Sequence, residues 1–177
     1  MSRTLPVARE AFVAAMKRET TGTELARLVA VLDALIKWSV ARPQSLTFHP
    51  DASPAGVLAF EFVGSKTVLW SVRVTRGDAP KLEIYPPTGR SLSTESRAKV
   101  MEIINAHTRD SLEEKDRLRI GFGALKNAAA LTAVTGLLAE LVDTNAQASA
   151  QANAATCWAR TAVQRCVPAT ATPPDCR

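Results

Sequence analysis

The chain predicts an α+β fold, an antiparallel β-meander of four to five strands packed on one face by N-terminal, middle and C-terminal helices. Three observations carry this. The stretch from Leu58 to Pro86 alternates apolar and polar residues with period two, it is broken by turn residues, and apolar residues recur every three or four positions on either side of it. Period two builds a half-buried strand and fixes its register; the 3.6-residue period builds a helix with one buried stripe. Runs of strands flanked by helices select layered α+β packing.

Pro6 suits a first helical turn, where its missing N–H costs nothing, and predicts a helix over 7–18 with Val7, Phe12, Ala15 and Met16 inward. Thr23 reads as the N-cap of a helix over 24–41, with Leu25, Leu28, Val29, Leu32, Leu35 and Ile36 on one side and Pro43 beyond it. Strands follow at 46–49, 57–63, 67–75 and 81–85. In the third of these, Val68, Trp70, Val72 and Val74 face inward and Leu69, Ser71, Arg73 and Thr75 outward. Asp78–Ala79–Pro80 turns the chain, and Leu82 and Ile84 continue the apolar face. A helix over 94–108, capped by Ser93, precedes the charged run DSLEEKDR, which reads as a solvated connection. A strand at 117–122 and a closing helix at 125–142 complete a domain of residues 1–143. Gly136 lowers the propensity of that last helix unless close packing uses its missing side chain. Residues 144–177 shift to Ala, Thr, Asn, Gln and Pro, and read as a mobile, cysteine-containing, low-complexity tail.

Composition excludes several classes. At 46% apolar and 22% charged residues the chain is an ordinary globular one. No apolar run reaches the length of a membrane span, and MSRTLPVAREAF has no apolar signal core, so a cytoplasmic location is expected. Cys157, Cys166 and Cys176 are spaced unlike any zinc-ligand pattern, and no cofactor fingerprint is present, so neither metal nor cofactor is expected. GFGALKN lacks the phosphate-loop spacing and reads as a tight strand-to-helix passage. The net charge of +5 permits a nucleic-acid partner but is spread thinly along the chain.

Three groups of residues bear chemistry. Glu61, Glu83 and Lys81 share the polar sheet face, and two acids with a lysine are the donor set of a metal-dependent nuclease. The restriction-type E-x-K order is reversed here to K-L-E. Arg73, Arg76, Lys81, Arg117 and Arg119, with Tyr85, supply a basic surface with one ring for base stacking. His49 with Asp51 offers a base and its orienting acid, whereas His107 ends a helix and suits a structural role. The bland alternatives are cross-strand charge pairs for the acids, solvated charge for the basic residues, and a surface histidine in a turn for His49. The reading that follows is a non-catalytic binding or accessory domain meeting a protein or nucleic-acid partner through the polar sheet face or an exposed edge strand. The rival is a nuclease-like hydrolase using Glu61, Glu83 and Lys81. Self-association through the apolar stripe of helix 24–41 or 125–142 is a third expectation.

Overall fold

The structure is a computed structural model and describes residues 4–50, 57–85, 94, 95, 98, 102, 112–114 and 117–165. Helix α1 (Leu5–Glu19) starts at Thr4 with proline in its first turn and ends with Lys17 and Arg18, cations that suit the negative end of a helix dipole. It buries Ala8, Phe12, Ala15 and Met16. Helix α2 (Gly22–Val40) begins two residues earlier than the sequence predicts, with Thr21 rather than Thr23 at its N-cap. Gly22 adopts φ 65°, which lets the chain reverse tightly between the two helices. Leu28, Val31, Leu32, Leu35 and Ser39 form the buried stripe of α2. Arg9 Nε and Nη2 donate to the Asp33 carboxylate at 2.6 and 2.7 Å, tying α1 to α2. This hydrogen-bonded acid raises the pKa of the guanidinium further.

The α+β expectation holds, with six strands in the antiparallel sheet. These are β1 (Leu46–Phe48), β2 (Val57–Phe62), β3 (Val68–Arg73), β4 (Lys81–Ile84), β5 (Leu112–Glu114) and β6 (Arg117–Gly121). Their order is β1-β2-β3-β4-β6-β5, so the first four form a meander and β6 inserts beside β4. Strand β5 lies in the run expected to be a solvated connection. Its register sets Glu114 opposite Arg117 and Glu113 opposite Leu118. The helix expected over 94–108 is present at positions 94, 95, 98 and 102; its other positions, His107 among them, lie outside the described residues.

A short helix α3 (Phe122–Leu125) follows β6 directly. The long helix α4 (Ala128–Arg165) is started by Asn127, whose Oδ1 accepts the Ala129 N–H at 2.8 Å and the Ala130 N–H at 3.3 Å. The chain divides into two compact units, Met1–Asp143 and Thr144–Arg177. In the first, α4 contributes Val134, Leu137, Leu138, Leu141 and Val142 to the core. In the second, the helix continues to Arg165, past the point where the sequence reading ends it. Alanine and glutamine are strong helix formers, and no proline interrupts the chain before Pro168. An apolar stripe is thus absent where helix nonetheless persists. Residues 166–177, with Cys166 and Cys176, lie outside the described residues.

One core joins the two layers. Trp70 is fully buried and stacks on Phe60 with ring centroids 5.0 Å apart. Its Nε1–H donates to Ser39 Oγ at 3.0 Å, so one bond gives a partner to the indole and to the buried hydroxyl of α2. Phe12 meets Phe122 at 6.4 Å. At the end of α2, Arg42 lies 4.1 Å over the Trp38 ring and donates to the Trp38 carbonyl oxygen at 2.9 Å. Gly136 makes no close approach, since an added Cβ would meet nothing within 4 Å. Gly136→Ala is therefore expected to stabilise the protein by about 0.5–1 kcal/mol through helix propensity alone, measured as a higher denaturation midpoint at unchanged m-value.

Candidate functional site

The polar sheet face is built by register. Ala59 stands opposite Ser71, Ser71 opposite Glu83, and Glu83 opposite Arg119, a row running across β2, β3, β4 and β6. The His49 N–H donates to the Ala59 carbonyl, which extends the row by one position beyond β1. A second row, Val57, Arg73, Lys81 and Gly121, lies one step toward the end of β3.

The centre of this face is buried rather than solvated as the alternation predicts. Ala59, Ser71 and Glu83 are 3%, 7% and 5% exposed. The charge of the buried carboxylate is met by hydrogen bonds. Tyr85 Oη donates to Glu83 Oε2 at 2.5 Å, and Arg119 Nε donates to Glu83 Oε1 at 3.0 Å. Tyr85 has one hydroxyl proton and gives it to Glu83, so the Ser71 hydroxyl, 3.4 Å away, is the donor toward Tyr85 Oη. Ser71, Tyr85, Glu83 and Arg119 thus form a connected polar cluster. Tyr85, the ring expected to stack on bases, is half-buried and has its hydroxyl engaged with the acid.

At the β1 side, His49 Nδ1 lies 2.7 Å from Glu61 Oε2. Histidine therefore finds its acid on the neighbouring strand, while Asp51, the expected partner, lies outside the described residues. The donor set of the nuclease reading is not brought together. The register shifts between Phe60 and Glu61, so Glu61 faces Val68 while Glu83 faces Ser71. Ala59, Ser71 and Glu83 share one row, and Glu61 is two residues along β2 from it, so two strand spacings and two residues of rise put the Cα atoms of Glu61 and Glu83 about 12 Å apart. Lys81 turns to Asp78 at 3.3 Å. Among the described residues, no three of histidine, cysteine, aspartate and glutamate gather as metal ligands.

Of the six residues expected to form a basic surface, Arg119 serves the buried acid and Lys81 the hairpin. Arg117 faces Glu114 by backbone register, and its side chain lies outside the described residues. Arg73 and Arg76 are exposed and make no hydrogen bond or ion pair among the described residues. They stand at the end of β3 and in the turn that follows, where Gly77 adopts φ 80° and the Asp78 N–H closes onto the Thr75 carbonyl. Gly77 N–H donates to Glu19 Oε2 at 3.0 Å, fastening this hairpin to the end of α1. That contact brings up Arg18, also exposed and without a partner among the described residues, which sequence reasoning missed. Arg18 and Arg76 line a pocket of about 590 Å³ together with Ala15, Glu19, Val74 and Gly77. The only signal in the sequence was the basic last turn of α1; its apposition to the hairpin is tertiary.

No helix of the described residues is long and apolar enough to cross a membrane. Comparison of the chain with protein-family models, with curated proteins and with solved structures finds no match, so the reading of the site rests on its geometry.

Proposed function

We propose that residues 1–143 form a non-catalytic binding domain whose polar sheet face, at the end carrying the β3–β4 turn, contacts a phosphate-bearing nucleic-acid strand. One observation carries this reading. Arg18, Arg73 and Arg76 are exposed at one end of the sheet without acid partners among the described residues, while the inner acids Glu61 and Glu83 are engaged with His49 and with Tyr85 and Arg119. Arginines left unpaired beside satisfied acids are the electrostatic pattern that draws a polyanion. The partner is read through its backbone charge, because the tyrosine ring of the face is tied to Glu83 and offers little platform for stacking.

The test is oligonucleotide binding across a salt series. The wild-type protein is expected to bind single-stranded oligonucleotides at low salt and to release them as salt rises. The triple variant R18Q/R73Q/R76Q should weaken binding at least tenfold, and losing three phosphate contacts should flatten the plot of log K against log salt by about 2. An unchanged slope in the variant, or no binding by the wild type at low salt, overturns the reading; a protein with an acidic face then becomes the partner to seek.

A further inference from the structure

A second cavity lies on the opposite layer, away from the sheet face. It measures about 360 Å³ and is lined by Arg27, Ala30 and Val31 of α2, by Leu125 and Lys126 at the end of α3, and by Ala128 and Leu131 of α4. Arg27, Ala30 and Val31 are spaced i, i+3 and i+4, so one face of α2 forms a wall. Val31 and Leu125 are 4% and 1% exposed and form an apolar floor. Alanine at 30 and 128 leaves the space open; larger side chains there would fill it. The rim is cationic. Lys126 is occupied by Glu24, whose Oε1 accepts from Nζ at 2.6 Å. Arg27 is exposed and has no partner among the described residues, so it is the rim charge still available to a ligand.

We infer that this cavity binds an amphipathic monocarboxylate, its alkyl body on Val31, Leu125 and Leu131 and its carboxylate on Arg27. Apolar walls with a single well-placed charge are the usual make-up of a small-ligand site, and the volume falls within the usual range. At about 30 Å³ for each water, the cavity holds roughly twelve water-sized volumes, which suits a medium-length chain. Guanidinium favours carboxylate because its planar donors match both oxygens. The inference is independent of the nucleic-acid reading, since none of its residues belongs to the sheet face.

The experiment is a titration of the full chain with octanoate, followed by NMR chemical shifts and calorimetry, with hexanoate and octanol as probes of chain and charge. Octanoate should shift resonances of Val31, Leu125 and Leu131. Shortening by two methylenes should weaken binding roughly fifteenfold, the loss expected when two buried CH₂ groups are removed. Arg27→Gln should weaken octanoate about tenfold while leaving octanol unchanged. Ala30 and Ala128 are exposed, so Ala30→Leu and Ala128→Leu fill the space without disturbing the core, and each should abolish octanoate binding. Octanoate binding that survives both filling variants, equal affinity for octanol and octanoate, or the absence of shifts in the three named residues would each overturn the inference.

Discussion

Trp70→Ala is expected to cost about 5 kcal/mol of stability, enough to consume most of the margin of an ordinary domain. The loss has two physical parts. The indole fills the centre of the core and stacks on Phe60, so its removal opens a cavity that the fixed sheet cannot close. The Ser39 hydroxyl, itself buried, then loses the Nε1–H that points at it. Two further variants separate these parts. Trp70→Phe keeps an aromatic ring but orphans the serine, and should cost about 1–3 kcal/mol; Ser39→Ala orphans the indole N–H and should cost about as much. Urea denaturation with unchanged m-value is the measurement. A loss below about 2 kcal/mol for Trp70→Ala would mean that the ring is not packed as described.

The second large effect belongs to Glu83. Glu83→Ala removes a carboxylate whose side chain is 7% exposed and takes from the Arg119 guanidinium, 23% exposed, the acid it bonds at 3.0 Å. Breaking a buried pair from one side costs about 3 kcal/mol, because the remaining charge keeps its desolvation penalty. Arg119→Met should cost a similar amount for the mirrored reason. The combination E83L/R119M should cost far less than the sum of E83L and R119M taken singly, since it replaces a buried acid and its half-buried partner by apolar volume. Additive losses in that cycle would show that the two side chains do not act on each other. Tyr85→Phe, which removes one hydrogen bond to the acid, provides the intermediate case at about 1–2 kcal/mol.

These two residues also mark where the sequence was legible. Trp70 could be assigned to the core because Val72, Leu82 and Ile84 repeat its alternation, and a pleated strand has only two faces. The rule fails at the bulge, which sets Val68, expected inward, opposite Glu61, while Leu69, expected outward, is fully buried. Glu83 sits on the other face by the same rule, and the rule says nothing of whether that face is wet. Its charge is met by Tyr85 and by Arg119, the latter on a strand 36 positions away. Pairing over that distance leaves no local trace. His49 illustrates the same gap: Asp51 was near in sequence, but Glu61 is its neighbour across the β1–β2 pair. Strand β5 was hidden by its charges, and the extension of α4 by the absence of an apolar stripe. In both cases, backbone pairing and propensity act without the periodic signal that reveals a buried face.

The insertion of β6 between β4 and β5 has a kinetic consequence. The meander from β1 to β4 forms from neighbouring segments, each pairing closing a short loop. Strand β6 must instead travel back across about 30 residues before its first hydrogen bond to β4 forms, and that closure is entropically costly until contacts accumulate. Docking of β6 is therefore the slow topological step of the sheet. Until it is complete, β4 presents an unpaired edge with an acid on one side and Leu82 and Ile84 on the other. When two copies of that edge pair with Glu83 opposite Glu83, the like charges disfavour the pairing.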